Sequence, residues 1–321
     1  MTSLVGHDAT WREWRAAMAS TRMHHGWILA GPKGSGKGHF ARAAAAELVA
    51  HPGVPQPPVE GHPDILVLEA LPASDEDEKK RAAGQPHAVK RSISVDQVRR
   101  METRLFTRPT LGPRRAVIID TADELEKSAV NALLKALEEP PAGTFFVLIS
   151  HRPGRLLPTV RSRCRVLRFP RLEADAVDAI LRAEAPQADA AARAAAIAAA
   201  EGSPGMALQF VEQQLGGIHA LMRRILHEGD PGFALRGALA GEIGARPARE
   251  RIAAALDLAR AALAGELRDA PRDRQLAIIA AHGEVSLLAA QAQTYNFDNG
   301  LLIMEIGGLL ASAAMPREAA S

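Results

Sequence analysis

The 321-residue sequence has one cysteine, Cys164, one tyrosine and an aromatic share of only 4%. A lone thiol excludes an intramolecular disulfide and any multi-cysteine zinc site, and it fits a reducing, cytoplasmic setting. An excess of one charge is also missing: 39 Lys and Arg face 37 Asp and Glu, a formal net charge of +2. Nucleic-acid contact would therefore have to come from local basic patches rather than the whole surface. No apolar run reaches the roughly 18 residues a membrane helix needs, so no span is expected. The N-terminal residues mix charges with Trp11 and Trp14 and have no long apolar block, so no signal peptide is expected. What is present is ordinary globular material, 47% hydrophobic and 24% charged. At about 150 residues per domain, the length suggests two or three domains.

Trp11, Trp14 and Met18 fall at helical spacing within a short amphipathic helix expected over 11–23. Gly26 to Ala30 reads as a buried strand that runs into a glycine-rich turn, and residues 39–50 favour helix. Residues 51–63 hold five prolines and form a loop, in which His51 and His62 read as solvent-exposed. Ile65 to Leu68 is a candidate strand. The charge run Asp75 to Arg81 reads as a solvated loop. Ser94 or Asp96 caps a helix through about Phe106. Ala116 to Asp120 is an apolar run ending in a carboxylate, the pattern of a buried parallel strand. A helix over about 127–139 stops at Pro140-Pro141, and Phe145 to Ile149 is a further strand. Strands alternating with helices predict a parallel α/β sheet. After Pro170 only helical patterns occur. The expected division is an α/β domain over 1–170, a small helical unit over 171–212 and a helical bundle over 213–321.

Gly31-Pro32-Lys33-Gly34-Ser35-Gly36-Lys37 matches the front of the phosphate-loop pattern G-x-x-x-x-G-K-[ST]. Gly31, Gly34 and Gly36 let backbone N–H groups turn toward phosphate oxygens, Lys37 reaches the outer phosphates, and the helix N-terminus favours an anion. The next residue breaks the pattern, because Gly38 offers no hydroxyl to a Mg²⁺ ion. Asp120 is placed to help hold that ion, yet Thr121 follows where a water-activating glutamate is expected. Asp123 and Glu124 lie farther along and are expected to point elsewhere. Hydrolysis at this site is therefore not expected, while the intact Lys37 and glycines leave ATP or ADP binding without turnover open.

These segments resemble the clamp-loader branch of the AAA+ proteins, whose fold is a P-loop α/β domain followed by a small helical lid and an all-α collar. The matching blocks are Asn131-Ala132-Leu133-Leu134-Lys135-Ala136-Leu137-Glu138-Glu139-Pro140-Pro141 and Leu156 to Cys164, which contains Ser162-Arg163-Cys164. Gly202-Ser203-Pro204-Gly205 resembles the start of the family's sensor-2 helix. There Met206 stands where active members carry an arginine, and Ser150-His151 stands where they carry Thr or Asn.

The resemblance implies a non-hydrolysing subunit of an assembly that loads a sliding clamp onto primed DNA. It assigns Arg163 to a neighbouring subunit's ATP site, where a guanidinium offers a fixed charge and a fork of donors. The implied partners are ATPase subunits of the gamma/tau type and a delta-like subunit in a hetero-pentamer, the sliding clamp and primer-template DNA, with no membrane. No cofactor is required, and without cysteines in 51–63 no zinc module forms. Cys164 reads as a small buried residue rather than a nucleophile. Arg99, Arg100, Arg104, Arg108, Arg114 and Arg115 are candidates either for DNA contact or for solvated basic faces. The competing reading is an active ATPase of the gamma/tau type, and a more distant one is an unrelated P-loop regulator.

Overall fold

The computed structural model describes residues 6–85, 87–292 and 297–314. The chain divides into two compact units, one ending at Arg171 and the other starting at Leu172.

The first unit contains, in order, α1 (Asp8–Ala19), β1 (Gly26–Ala30), α2 (Lys37–Val49), β2 (Ile65–Glu69), α3 (Asp75–Ala82), α4 (Val95–Leu105), β3 (Arg115–Asp120), α5 (Lys127–Glu138), β4 (Thr144–Ser150), α6 (Pro158–Arg161) and β5 (Arg165–Arg168). The five strands form one parallel sheet in the order β2-β3-β4-β1-β5. Side chains alternate across a strand, so each apolar run feeds two cores. Trp27, Leu29, Ile118 and Val147 face one cluster with Trp14, Phe40 and Leu48. Ile28, Val117, Ile119 and Leu148 face the other, with Val98, Met101, Leu133 and Leu137 from α4 and α5.

Three expectations are corrected here. The run from Asp75 is solvated but helical. Ser74 accepts a hydrogen bond from the Asp77 N–H, four carboxylates occupy the first turn and three cations the last, which is the arrangement a helix dipole favours. The strand β5 was not expected at all. Its burial pattern exposes Arg165, Val166 and Arg168 and hides only Leu167, so its apolar signal is a single residue. The first helix also begins earlier than expected, at Asp8. Of the two candidate caps for α4, Ser94 serves: a reciprocal capping box links it to Gln97.

The second unit is helical throughout its described residues: α7 (Ala174–Glu184), α8 (Ala190–Ala200), α9 (Pro204–Glu212), α10 (Gly216–Glu228), α11 (Ala234–Ile243), α12 (Arg249–Leu267), α13 (Arg272–Ala292) and α14 (Asn299–Ser312). One apolar cluster runs from Leu172 to Ala313 and includes Val177, Phe210, Ile218, Leu256 and Ile306. Position 212/213, the expected lid–collar boundary, lies between α9 and α10. Arg274 is buried in this unit, with Nε donating to the Ala313 carbonyl at 3.1 Å and Nη2 paired with Glu266 at 3.0 Å. Within the apolar stretch at 301–304, Leu302 and Ile303 are core while Leu301 is exposed.

Candidate functional site

Parallel strands bring the C-terminal ends of β1, β4 and β3 side by side, the edge of an open α/β sheet where ligands bind. Ala30 at the end of β1 pairs with Ser150 at the end of β4, and Asp120 closes β3 on the far side of β4. The loop 31–36 leaves β1 and enters α2. The three glycines are required for two reasons, close approach and positive φ. A Cβ on Gly31 would sit 2.4 Å from the Phe169 carbonyl oxygen. Gly34 and Gly36 have φ of 75° and 86°, the left-handed region that side chains disfavour. Gly36 is also the residue preceding α2, so the loop delivers the helix N-terminus to the site. The imidazole Nε2 of His7 lies 2.8 Å from the Ser35 carbonyl oxygen and donates to it. Burial lowers the pKa of His7, against the opposing effect of its bond to Ser35.

Lys37 is almost wholly buried and turned onto its own loop. Its ammonium donates to the carbonyls of Gly31 at 2.8 Å and Pro32 at 2.5 Å, and to the Ser35 hydroxyl at 3.2 Å. Burial pulls its pKa down to about 8, against the opposing pull of Asp123 and Asp120. The loop and its lysine therefore satisfy one another.

The carboxylate side of the site is also paired. Asp120 Oδ2 accepts from Arg42 Nη1 at 3.1 Å, and Arg42 Nη2 reaches Glu69 Oε2 at 3.3 Å. Gly38 and Arg42 share a face of α2 four residues apart. A Cβ on Gly38 would meet Asp120 Oδ2 at 3.3 Å and Arg42 Nη1 at 3.4 Å. Asp123 does not point elsewhere as expected. A short 3₁₀ turn over Ala122–Glu124 swings it toward β4, where it accepts from the Ser150 hydroxyl at 2.8 Å and from the His151 N–H. Glu124 also belongs to this carboxylate group: loss of solvent, then Asp120 and Asp123, push its pKa up. Burial and Lys37 hold His151 down at a pKa of about 4, so it is neutral near pH 7.

Sequence reasoning missed Arg42 and His7 and misdirected Asp123. The signal for Arg42 was its place one turn beyond Gly38. The other two depend on the tertiary fold.

Arg163 lies apart from these groups, just after α6. Its Nη2 is 2.6 Å from Glu138 Oε1 at the end of α5, and its Nη1 donates to the Thr159 carbonyl at 2.8 Å. A third of the side chain remains exposed. Behind it, Cys164 is partly buried and desolvation pushes its thiol up to about 12, which agrees with a packing role.

Two further expectations change. His62 is buried rather than exposed, with Nε2 against Gln56 Oε1 at 2.8 Å and Nδ1 accepting from the Asp64 N–H. Arg115 is no surface patch: it is buried, bonds the carbonyls of Arg104, Thr107 and Arg108, and lies 3.7 Å from Asp64. Arg99, Arg100, Arg104 and Arg108 remain exposed. Met206, in the second unit, packs against the helical core, and its N–H donates to the Ser203 hydroxyl.

The sheet order, the loop after β1 and the carboxylate closing β3 define a P-loop α/β domain of the AAA+ kind. Residues 6–173 match the model of the family described as DNA polymerase III, delta subunit, and the chain belongs to that family. Its similarity is to the delta-prime subunits. The chain is 36% identical over 155 residues to the delta-prime subunit of Pseudomonas aeruginosa, covering 44% of this chain and 41% of that one. It is 42% identical over 128 residues to that of Escherichia coli, covering 40% and 38%. A gamma/tau subunit from Mycobacterium bovis is 29% identical over 218 residues, 67% of this chain and 37% of its own. The matched stretches thus span about two-fifths of each of these relatives.

Proposed function

We propose that this chain is a non-hydrolysing subunit of the DNA polymerase III clamp loader, and that Arg163 completes the ATP site of a neighbouring ATPase subunit. The observation that carries the proposal is the setting of Arg163. A guanidinium held by Glu138 and Thr159, with a third of its surface open, is preorganised and still able to reach a phosphate on another chain. The closed state of the chain's own loop supports the same reading. Lys37 is satisfied by Gly31, Pro32 and Ser35, Gly38 supplies no hydroxyl, and Thr121 is no base near neutral pH.

In this role the first unit faces an ATPase neighbour of the gamma/tau type. Residues 171–212 act as the lid and 213–321 as the collar that holds the hetero-pentamer together. A delta-like subunit, the sliding clamp and primer-template DNA complete the assembly in the cytoplasm. The competing reading, an active ATPase, draws on the match to a gamma/tau subunit across 67% of the chain and on the intact Lys37. It requires turnover by the isolated chain.

The test is the DNA-stimulated ATPase of the reconstituted clamp loader carrying Arg163→Ala. A loss well over tenfold with assembly intact is expected, since an arginine finger supplied in trans is worth about 10³–10⁵ in rate. A rate within twofold of wild type contradicts the proposal, and Lys37-dependent turnover by the chain alone favours the competing reading.

A further inference from the structure

A P-loop ATPase fold implies a nucleotide accompanied by Mg²⁺, and the residues here do not fit that ion. The ion is ordinarily held by the hydroxyl after the loop lysine and by the carboxylate closing the third strand. Here the first position is Gly38 and the second, Asp120, is engaged by a guanidinium. Arg42 Nη1 lies 3.1 Å from Asp120 Oδ2 and 3.4 Å from where a Cβ on Gly38 would stand. Its Nη2 donates to Glu69, which Arg81 also faces at 3.8 Å and which is the register partner of Asp120 across β2 and β3. Both side chains of the Arg42–Asp120 pair are about three-quarters buried, where a charge without a partner is costly.

We infer that Arg42 is the resident cation of this site, standing where the divalent ion would stand, and that it excludes Mg²⁺. The carboxylate that would bind the metal, Asp120, already has a cationic partner. A hard divalent cation prefers several carboxylate or water oxygens, and it gains access to Asp120 only by displacing a bonded guanidinium. The absent hydroxyl at Gly38 and the guanidinium of Arg42 both act on the same metal position, beside Asp120 Oδ2. The inference rests on reading 31–37 as a phosphate loop and is independent of the role of Arg163.

The test is Mn²⁺ binding to the isolated full-length chain, read by electron paramagnetic resonance, with thermal melts confirming that each variant is folded. Wild type is expected to bind no Mn²⁺ at the site. Arg42→Ala and Arg42→Gln are expected to bind one ion per chain, lost again on adding Asp120→Asn. Gly38→Ser with Arg42 kept is expected to remain silent. Mn²⁺ bound by wild type and removed by Asp120→Asn overturns the inference, as does ADP binding strengthened by Mg²⁺ in wild type. Binding gained by Gly38→Ser alone, or by neither Arg42 variant, assigns the lost metal site to Gly38 and also overturns it. None of these readings depends on the ATPase of the assembled complex, so the two proposals fail separately.

Discussion

The Glu138 carboxylate lies 2.6 Å from the Arg163 guanidinium and ties the end of α5 to the turn after α6. Glu138 belongs to the block 131–141 and Arg163 to the block 156–164, so one ion pair joins the two most specific sequence motifs of the chain. The pair is partly exposed, with 33% of the arginine side chain and 49% of the glutamate side chain open to solvent. Such a pair contributes only about 0–1 kcal/mol to folding. Its value lies in fixing the arginine's direction.

Glu138→Gln is therefore expected to leave the denaturant midpoint of the isolated chain nearly unchanged. In the assembled complex it should lower ATPase activity about 3–10-fold, or roughly 0.7–1.4 kcal/mol of transition-state stabilisation, less than Arg163→Ala does. Equal losses from the two variants would show that Glu138 acts on more than the arginine's direction.

Gly26 opens β1 and leaves no room for a side chain. A Cβ there would sit 2.7 Å from the Arg163 carbonyl oxygen and 2.9 Å from Cys164 Sγ. Gly26→Ala is expected to cost about 1–3 kcal/mol by overpacking and to displace the Arg163 turn. Urea melts of the isolated chain measure the first effect, and the ATPase of the complex measures the second. A variant as stable and as active as wild type would show that the turn yields freely.

Acid should destabilise the isolated chain through His151 as pH falls below 6.5. His151 has a pKa near 4 when folded, against 6.5 for the free group, because burial and Lys37 disfavour its charge. Between those values the unfolded chain binds a proton that the folded chain refuses. The stability is thus intact above pH 6.5 and is lost as pH falls toward 4. His7, His24, His62, His219 and His282 are shifted the same way by burial, so His151→Gln should flatten the slope only in part. Urea midpoints across this pH range check it, and an unchanged slope in His151→Gln would contradict the assignment.

The basic residues separate into structural and surface groups. Arg115 bonds three carbonyls beside the buried Asp64 carboxylate. Arg115→Ala is expected to cost about 3–5 kcal/mol, as for a buried pair that loses one partner. Arg99 is exposed and pairs only loosely with Asp96 at 3.6 Å, so Arg99→Ala should lie within about 0.5 kcal/mol of wild type. Thermal melts of the two variants side by side measure the contrast.

The strands β1, β3 and β4 were legible because a parallel strand covered on both faces must be apolar throughout. The glycine loop after β1 was legible because its φ > 0 positions demand glycine. The helix α3 was missed even though its signal was present: Ser74 followed by four acids and then three bases is a capped, dipole-matched helix without an apolar face. The strand β5 offered only Leu167 as a buried residue, too little for a pattern. Arg42 looked like any helix surface residue, since its meaning comes from Asp120, 78 positions away. Asp123 was misjudged because a 3₁₀ turn redirects it to Ser150. Local chemistry was readable, while pairings made by the tertiary fold were not.

In the proposed role this chain gives an arginine to its neighbour's site and does not use its own loop for turnover. The most direct measurement compares Lys37→Ala with Arg163→Ala in the reconstituted clamp loader, by DNA-stimulated ATPase at equal assembly. Lys37→Ala is expected to stay within about twofold of wild type while Arg163→Ala falls well over tenfold. A large loss with Lys37→Ala and little change with Arg163→Ala would contradict it.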